Sequence, residues 1–323
     1  MPTPITPPRN IPRGDTPPSG GRRTGVARSA SDSLRAIAWR LESRDYVLAH
    51  LLDEHRTLTC DQISAVLFAS PRTCRNRLDK LRKLGFVDWF IPVRHGRRLP
   101  AHWVPGLLAA RYVALSRGER PPTPAAVRQL QDRLVASTHL AHTDGVNQLG
   151  IDLLRHARSD PNCDLVRWWS GARIAAACGG RVRPDAHGVW RTGGHDTPWY
   201  LEWDAGSEQL AVLTAKLGAY QRLREAGGPC WPVLFWLPTS AREANLHRKL
   251  AAMGPLGVAV ATTAADRVTG VVGGPAGAVW KLAGNGRRRL ALAELPSRVG
   301  DVGPYHPGPA TAEQDPLYLL RQP

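Results

Sequence analysis

The sequence is short of several things. Of its 323 residues only 5 are cysteine, 2 methionine and 4 phenylalanine, and 27 Asp and Glu stand against 43 Lys and Arg. Cys60, Cys74, Cys163, Cys178 and Cys230 form no C-x-x-C pair, which argues against a zinc ribbon, and so scattered and odd a set reads as reduced thiols. No run approaches the roughly 18 apolar residues of a membrane helix. The Pro/Arg/Gly-rich start lacks the apolar centre of a secretory signal. The expected setting is cytoplasmic, with no membrane partner. The shortage of acid leaves a net charge of +16. Most of that surplus lies early, since residues 1–120 hold 21 basic and 10 acidic residues. A basic half of this kind implies a polyanionic partner, double-stranded DNA above all. The alternative is a soluble basic protein in which Arg replaces Lys.

What is present divides the chain into five parts. Residues 1–43 are rich in Pro, Gly, Thr and Arg and bury too little apolar surface to offset the entropy of ordering, so a disordered basic tail is expected, with a short lead-in helix over 33–40. Residues 44–117 read as a winged helix-turn-helix. A helix over 45–55 is followed by a capping box, Thr59-Cys60-Asp61-Gln62. Ser70-Pro71 then opens a third helix that Gly85 ends. That helix carries Arg72, Arg75, Arg77, Lys80, Arg82 and Lys83 against a single acid, Asp79. Strands over 86–93 and 99–104 flank a basic turn holding Arg94, Arg97 and Arg98. The third helix is expected in a major groove, with Arg72 and Arg75 nearest the bases and Lys80 and the wing arginines nearer phosphate. Arg77 belongs to the same expected DNA-binding set. The competing reading is a protein-contact module with a merely solvated basic helix.

Residues 118–124, with Pro121-Pro122, read as a linker. Residues 125–262 give the order α-β-β-β-α-β from periodicity, with Gly145 a candidate break in a helix over 125–158 and a helix expected over 208–226 behind a Gly206-Ser207 cap. Residues 263–323 are expected to form a hairpin across Gly284–Arg289, a basic turn open to phosphate or to solvent, and an irregular tail from Pro296.

The chemistry concentrates in Arg183-Pro-Asp-Ala186, Trp199-Tyr-Leu-Glu-Trp-Asp204 and the helix bearing Lys216. Alternation along a strand puts Glu202 and Asp204 on one face and Leu201 and Trp203 on the other. Two carboxylates on one face repel, and Mg²⁺ or Mn²⁺ or a nearby Lys would offset that cost. Arg181 and Arg183 are alternative partners for the acids. His139 and His142, three apart on a helix, read as surface or packing residues for want of an acidic or Cys partner at ligand spacing. Tyr200 and Tyr220 are candidate nucleophiles but more readily core, and the tryptophans read as core rather than base-stacking platforms.

Pro184-Asp185 followed by Glu202-x-Asp204 resembles the signature of the PD-(D/E)xK nuclease superfamily, with Asp204 where that family has Lys and Lys216 as a migrated Lys. Lys216-x-x-x-Tyr220 is similar to the Gln-x-x-x-Tyr of RecB-like nucleases. From about residue 44 to 255 the chain resembles the replication-relaxation proteins of actinobacterial plasmids and conjugative elements. The resemblance implies an α/β (α+β) fold, a winged helix followed by a PD-(D/E)xK-like domain. It implies a metal-dependent nicking enzyme with Asp185, Glu202 and Lys216 catalytic and Asp185, Glu202 and Asp204 on Mg²⁺ or Mn²⁺. Other replication or conjugation proteins and a second copy of the chain are its further candidate partners. The other reading is a non-catalytic replication or transcription regulator with a degenerate nuclease-like domain.

Overall fold

The local signals of the N-terminal half become structure almost residue for residue. The computed structural model describes residues 30–94, 96–284, 286 and 288–322. The expected basic tail therefore falls mostly outside the described residues, and from Ala30 the chain is helical. The first elements are α1 (Ala30–Ala38), α2 (Ser43–His55), β1 (Leu58–Thr59), α3 (Cys60–Leu67) and α4 (Pro71–Lys83). They are followed by β2 (Val87–Phe90), β3 (Val93–Arg94), β4 (Arg97–Arg98), β5 (His102–Pro105) and α5 (Leu107–Ser116). Thr59 and Gln62 close the expected capping box, each side chain meeting the other's backbone N–H. Ser70 caps α4 by accepting from the Thr73 amide at 3.2 Å, a bond whose loss costs about 1 kcal/mol. Cys74, Leu78 and Leu81 are buried and turn α4 onto α3. β1, β5 and β2 form a small antiparallel sheet, and β3 and β4 a separate two-stranded ribbon.

The second half continues with α6 (Pro124–Val135), α7 (Leu140–Ser159), β6 (Cys163–Ser170), α8 (Gly171–Ala177), β7 (Ala186–Thr192) and β8 (His195–Trp203). Then come α9 (Leu210–Ala215), α10 (Leu217–Glu225), β9 (Val233–Leu237), α11 (Ser240–Ala252), β10 (Val260–Ala264) and α12 (Ala265–Val268). β11 (Trp280–Leu282), β12 (Arg289–Leu290), β13 (Val302–Gly303), β14 (His306–Pro307) and α13 (Tyr318–Arg321) complete the chain. The fold is mixed α/β. Seven strands lie in the order β12-β11-β10-β9-β8-β7-β6, with β8, β9 and β10 mutually parallel and the flanking pairs antiparallel. Strict alternation sends each strand's residues to two layers. Leu201, Leu234, Trp236 and Ala261 join Val146, Leu149 and Leu153 of α7. Tyr200, Val233, Phe235, Leu237 and Val260 join Leu213, Leu217, Tyr220, Leu223, Leu246 and Leu250 of α9, α10 and α11.

Several expectations give way here. Gly145 does not break α7; it lets the helix lie on the sheet. A Cβ at Gly145 would stand 2.3 Å from the Trp203 indole, and one at Gly150 2.2 Å from that of Trp168. The real break falls at 136–139, before α7. The helix expected over 208–226 begins at Leu210 behind Gln209, not at a Gly206-Ser207 cap, and divides at Lys216. α8 was not foreseen; it is short, and Ser170 caps it through the Arg173 amide. The C-terminal stretch is less irregular than its Pro/Gly content implies. It wraps the β6 edge, where the fully buried Arg167 donates to Gln314 Oε1 at 2.7 Å, Gly308 O at 3.1 Å and Pro309 O at 2.6 Å.

One apolar core runs from Val47 of α2 through α7 and the sheet to Leu317. Polar contacts fasten the two halves along α7. Asn147 donates to the carbonyls of His55 at 3.1 Å and Thr57 at 2.9 Å. Asp144 meets the buried His102 ring at 2.9 Å, and Arg158 donates to Ala65 O at 3.1 Å. His55 stacks on Trp168 with ring centres 3.5 Å apart, and burial lowers its pKa to about 4, so it stays neutral.

Candidate functional site

Asp185, Glu202 and Lys216 come together at the C-terminal end of β8. Asp185 stands just before β7; its amide donates to Leu201 O at 2.9 Å, and its Oδ2 accepts from the Trp203 amide at 2.7 Å. Glu202, 1% exposed, points toward the α9–α10 layer as strand parity requires. Lys216 and Tyr220 are four apart on the helix and share a face. Both reach Glu202: Lys216 Nζ to Oε2 at 2.7 Å, and Tyr220 OH donating to Oε1 at 2.5 Å. His142 Nε2 from α7 lies 3.3 Å from Asp185 Oδ2.

The electrostatics follow from that packing. Burial raises the Glu202 pKa, the neighbouring Asp185 charge adds to the rise, and Lys216 opposes it. Burial works against the Lys216 charge, yet the Glu202 and Asp185 carboxylates outweigh it and raise its pKa. The hydrogen bond to Asp185 raises the His142 pKa above the ordinary histidine value. Burial, then the Glu202 carboxylate, holds the Tyr220 phenol well above its usual range. Burial and the Cys178 thiol do the same for Tyr200. Both phenols therefore stay protonated at neutral pH.

Asp204, the third acid of the expected metal set, is held elsewhere. It lies on the same side of the sheet as Glu202, but Arg242 from the first turn of α11 clamps it. Arg242 Nη2 also reaches Asp204 Oδ1 at 3.1 Å, and the Gly206 amide donates to that oxygen at 2.8 Å. Neither sequence-neighbour arginine takes this part; Arg181 lies over the Tyr305 ring at 4.1 Å. Mg²⁺ and Mn²⁺ bind through one or two carboxylates together with water and phosphate oxygens, and Asp204, clamped by Arg242, is not free to add a third. Both oxygens of Glu202 and both of Asp204 already accept from protein donors, and one of Asp185 does too.

Sequence reasoning missed Arg242 outright and set His142 aside. Its signal for His142 was the three-residue spacing from His139, but the partner, Asp185, lies on another element. Arg242 lies 38 residues beyond Asp204 and left no local signal.

The basic surface is arranged the opposite way. Arg72, Arg75 and Lys80 of α4 and Arg94, Arg97 and Arg98 of the ribbon are exposed, and among the described residues none forms an ion pair. Arg94 faces Arg97 across the ribbon, like charge against like charge. Arg77 is the exception in the expected set. It turns inward, where its Nε donates at 3.0 Å to the buried Asp45 and its Nη1 meets Glu42 at 3.2 Å. In the second basic turn the two described arginines are paired. Arg289 pairs at 2.6 Å with the buried Glu243, and Arg288 at 2.6 Å with Glu294. Asn285 and Arg287 of that turn lie outside the described residues.

Residues 49–235, more than half of the chain, match the model of the replication-relaxation family, and the chain belongs to that family. No curated protein and no solved structure matches it.

Proposed function

We propose that this replication-relaxation protein is a DNA-binding replication factor of a mobile element that grips duplex DNA through α4 and the β3–β4 ribbon without cutting it. On this reading residues 44–117 work as a winged helix. α4 enters the major groove with Arg72 and Arg75, near its N-terminus, at base edges, where an arginine bonds guanine bidentately. Lys80 and the ribbon arginines meet phosphates and fix the register. The observation that carries the reading is the contrast in pairing. Arg77 apart, the cations of α4 and the ribbon are exposed and without acidic partners among the described residues, whereas Asp185, Glu202 and Asp204 each meet a basic side chain from another element. Assembly beside other replication or conjugation proteins, or as a homodimer, belongs to the same proposal.

The Asp185–Glu202–Lys216 cluster then serves as a relic frame of PD-(D/E)xK type that ties α7, β7, β8 and α10 together. Its convergence is what favours the second reading, Mg²⁺- or Mn²⁺-dependent nicking. On that reading Asp185 and Glu202 would hold the ion, with the Glu202 oxygens shared with Lys216 and Tyr220.

One experiment separates the two. Supercoiled DNA carrying the element's origin is incubated with the full chain and Mg²⁺ or Mn²⁺, while binding is followed by electrophoretic mobility. Tight, salt-sensitive binding without nicking is expected. Nicking that disappears in Asp185→Ala would overturn the non-cutting reading and establish the second.

A further inference from the structure

Away from both regions, three side chains of unlike chemistry converge where α7 hands over to β6. They are His156 in the last turn of α7, Asp160 at its C-cap, and Cys163 at the first position of β6. One nitrogen, one oxygen and one sulfur from them lie within 4.8 Å of one another. His156 and Asp160 are four apart, so the helix presents both on one face. The three-residue connection from helix to strand returns Cys163 to the same spot.

The sulfur–oxygen edge is close to that of a filled site. Cys163 Sγ stands 3.5 Å from Asp160 Oδ2. In tetrahedral coordination, with Zn–S near 2.3 Å and Zn–O near 2.1 Å, that edge would measure about 3.6 Å. The ligands are also oriented from outside. Asp160 Oδ1 accepts from the Asn162 amide at 2.9 Å and from its side chain at 3.2 Å, which leaves Oδ2 facing the sulfur. The Thr192 hydroxyl points a donor at Cys163 Sγ from 3.7 Å, a bond that a thiolate accepts well. The His156 ring is stacked on Trp190 with centres 6.0 Å apart.

We infer that His156, Asp160 and Cys163 bind a Zn²⁺ ion, with the fourth tetrahedral position left to water. A sulfur–nitrogen–oxygen set favours a borderline cation over Mg²⁺ or Ca²⁺, which prefer oxygen alone. Burial raises the Cys163 thiol pKa in the free protein, and a coordinated ion removes that proton outright, so binding releases a proton. The ion would pin the C-terminal end of α7, the helix whose Asn147, Asp144 and Arg158 hold the N-terminal module. This site does not depend on the DNA-binding reading.

The test uses the full chain, stripped of metal and titrated with Co²⁺ as a spectroscopic stand-in. One equivalent is expected to give the near-ultraviolet thiolate-to-cobalt charge-transfer band, and one equivalent of Zn²⁺ to bleach it. Cys163→Ser should abolish the band. His156→Ala and Asp160→Asn should each weaken binding by about tenfold or more, in line with the loss seen when even an outer partner is removed. Circular dichroism of each metal-free variant, matching that of the metal-free wild type, confirms that the fold is intact. A band that survives in Cys163→Ser, or no band at one equivalent of Co²⁺, overturns the proposal.

Discussion

The two charged regions of this protein use opposite arrangements. On α4 and the β3–β4 ribbon, eight cations face solvent with no acidic partner among the described residues. At the end of β8, Glu202, Asp185 and Asp204 each meet a cation or a ring from another element. Unpaired exposed charge is of little use to stability, because water screens it. It is useful for attracting a polyanion, since each contact releases counterions. Paired, buried charge does the reverse. It offers little to a ligand, and removing one partner leaves the other desolvated and uncompensated. Sign alone does not sort residues into these classes. Arg77 lies in the middle of the basic helix yet belongs with the buried pairs, through Asp45.

That contrast can be broken first where it is strongest. Asp45→Ala takes from Arg77 its buried partner and leaves it only Glu42, and Glu243→Ala takes from Arg289 and Arg267 the buried carboxylate they share. Each should cost about 3–5 kcal/mol of unfolding free energy, read by denaturant titration. If either variant unfolds at the wild-type midpoint, these pairs are not structural. Gly145→Ala comes next, because its methyl group would overlap the Trp203 indole. A loss of about 1–3 kcal/mol is expected in the same assay, and an unchanged midpoint would mean that α7 does not rest on the sheet there. Arg72→Ala should weaken DNA binding by about 1–3 kcal/mol while leaving the melting temperature unchanged. Arg77→Ala should do the opposite, lowering stability first.

The smallest effect is that of His142. Its folded pKa is raised above 6.5 by Asp185, so the stabilisation is fully present below pH 6.5 and is lost as pH rises through the raised value. His142→Gln should therefore lower the melting temperature at pH 6 and change it little at pH 9, with a cost under about 1 kcal/mol for so partly exposed a pair. An equal loss at both values would mean that the ring acts by packing alone.

Much of this was legible wherever the signal is local. Thr59 with Gln62 and Ser70 with Pro71 mark helix starts because capping is decided within four residues. The alternation of β8 placed Glu202 and Asp204 on one side, but that Tyr220, read as a core residue, donates to Glu202 was not visible in the sequence. What escaped was set by distant partners. Arg242 reaches Asp204 across 38 residues, Arg289 reaches Glu243 across 46, and Arg167 is buried only because Gly308 and Pro309 return to it. Gly145 was misread for a related reason. A glycine in a helix looks like a break until the indole that needs its missing Cβ is seen.

The most direct test of the central claim is the dependence of duplex binding on salt. The wild-type chain should show log K falling steeply and linearly with log salt concentration, by about 0.9 per phosphate contact. A variant with Arg72, Arg75, Lys80, Arg94, Arg97 and Arg98 all replaced by Ala should fold normally and lose most of that slope together with its affinity. An unchanged slope in the variant would place the DNA elsewhere on the molecule and contradict the account.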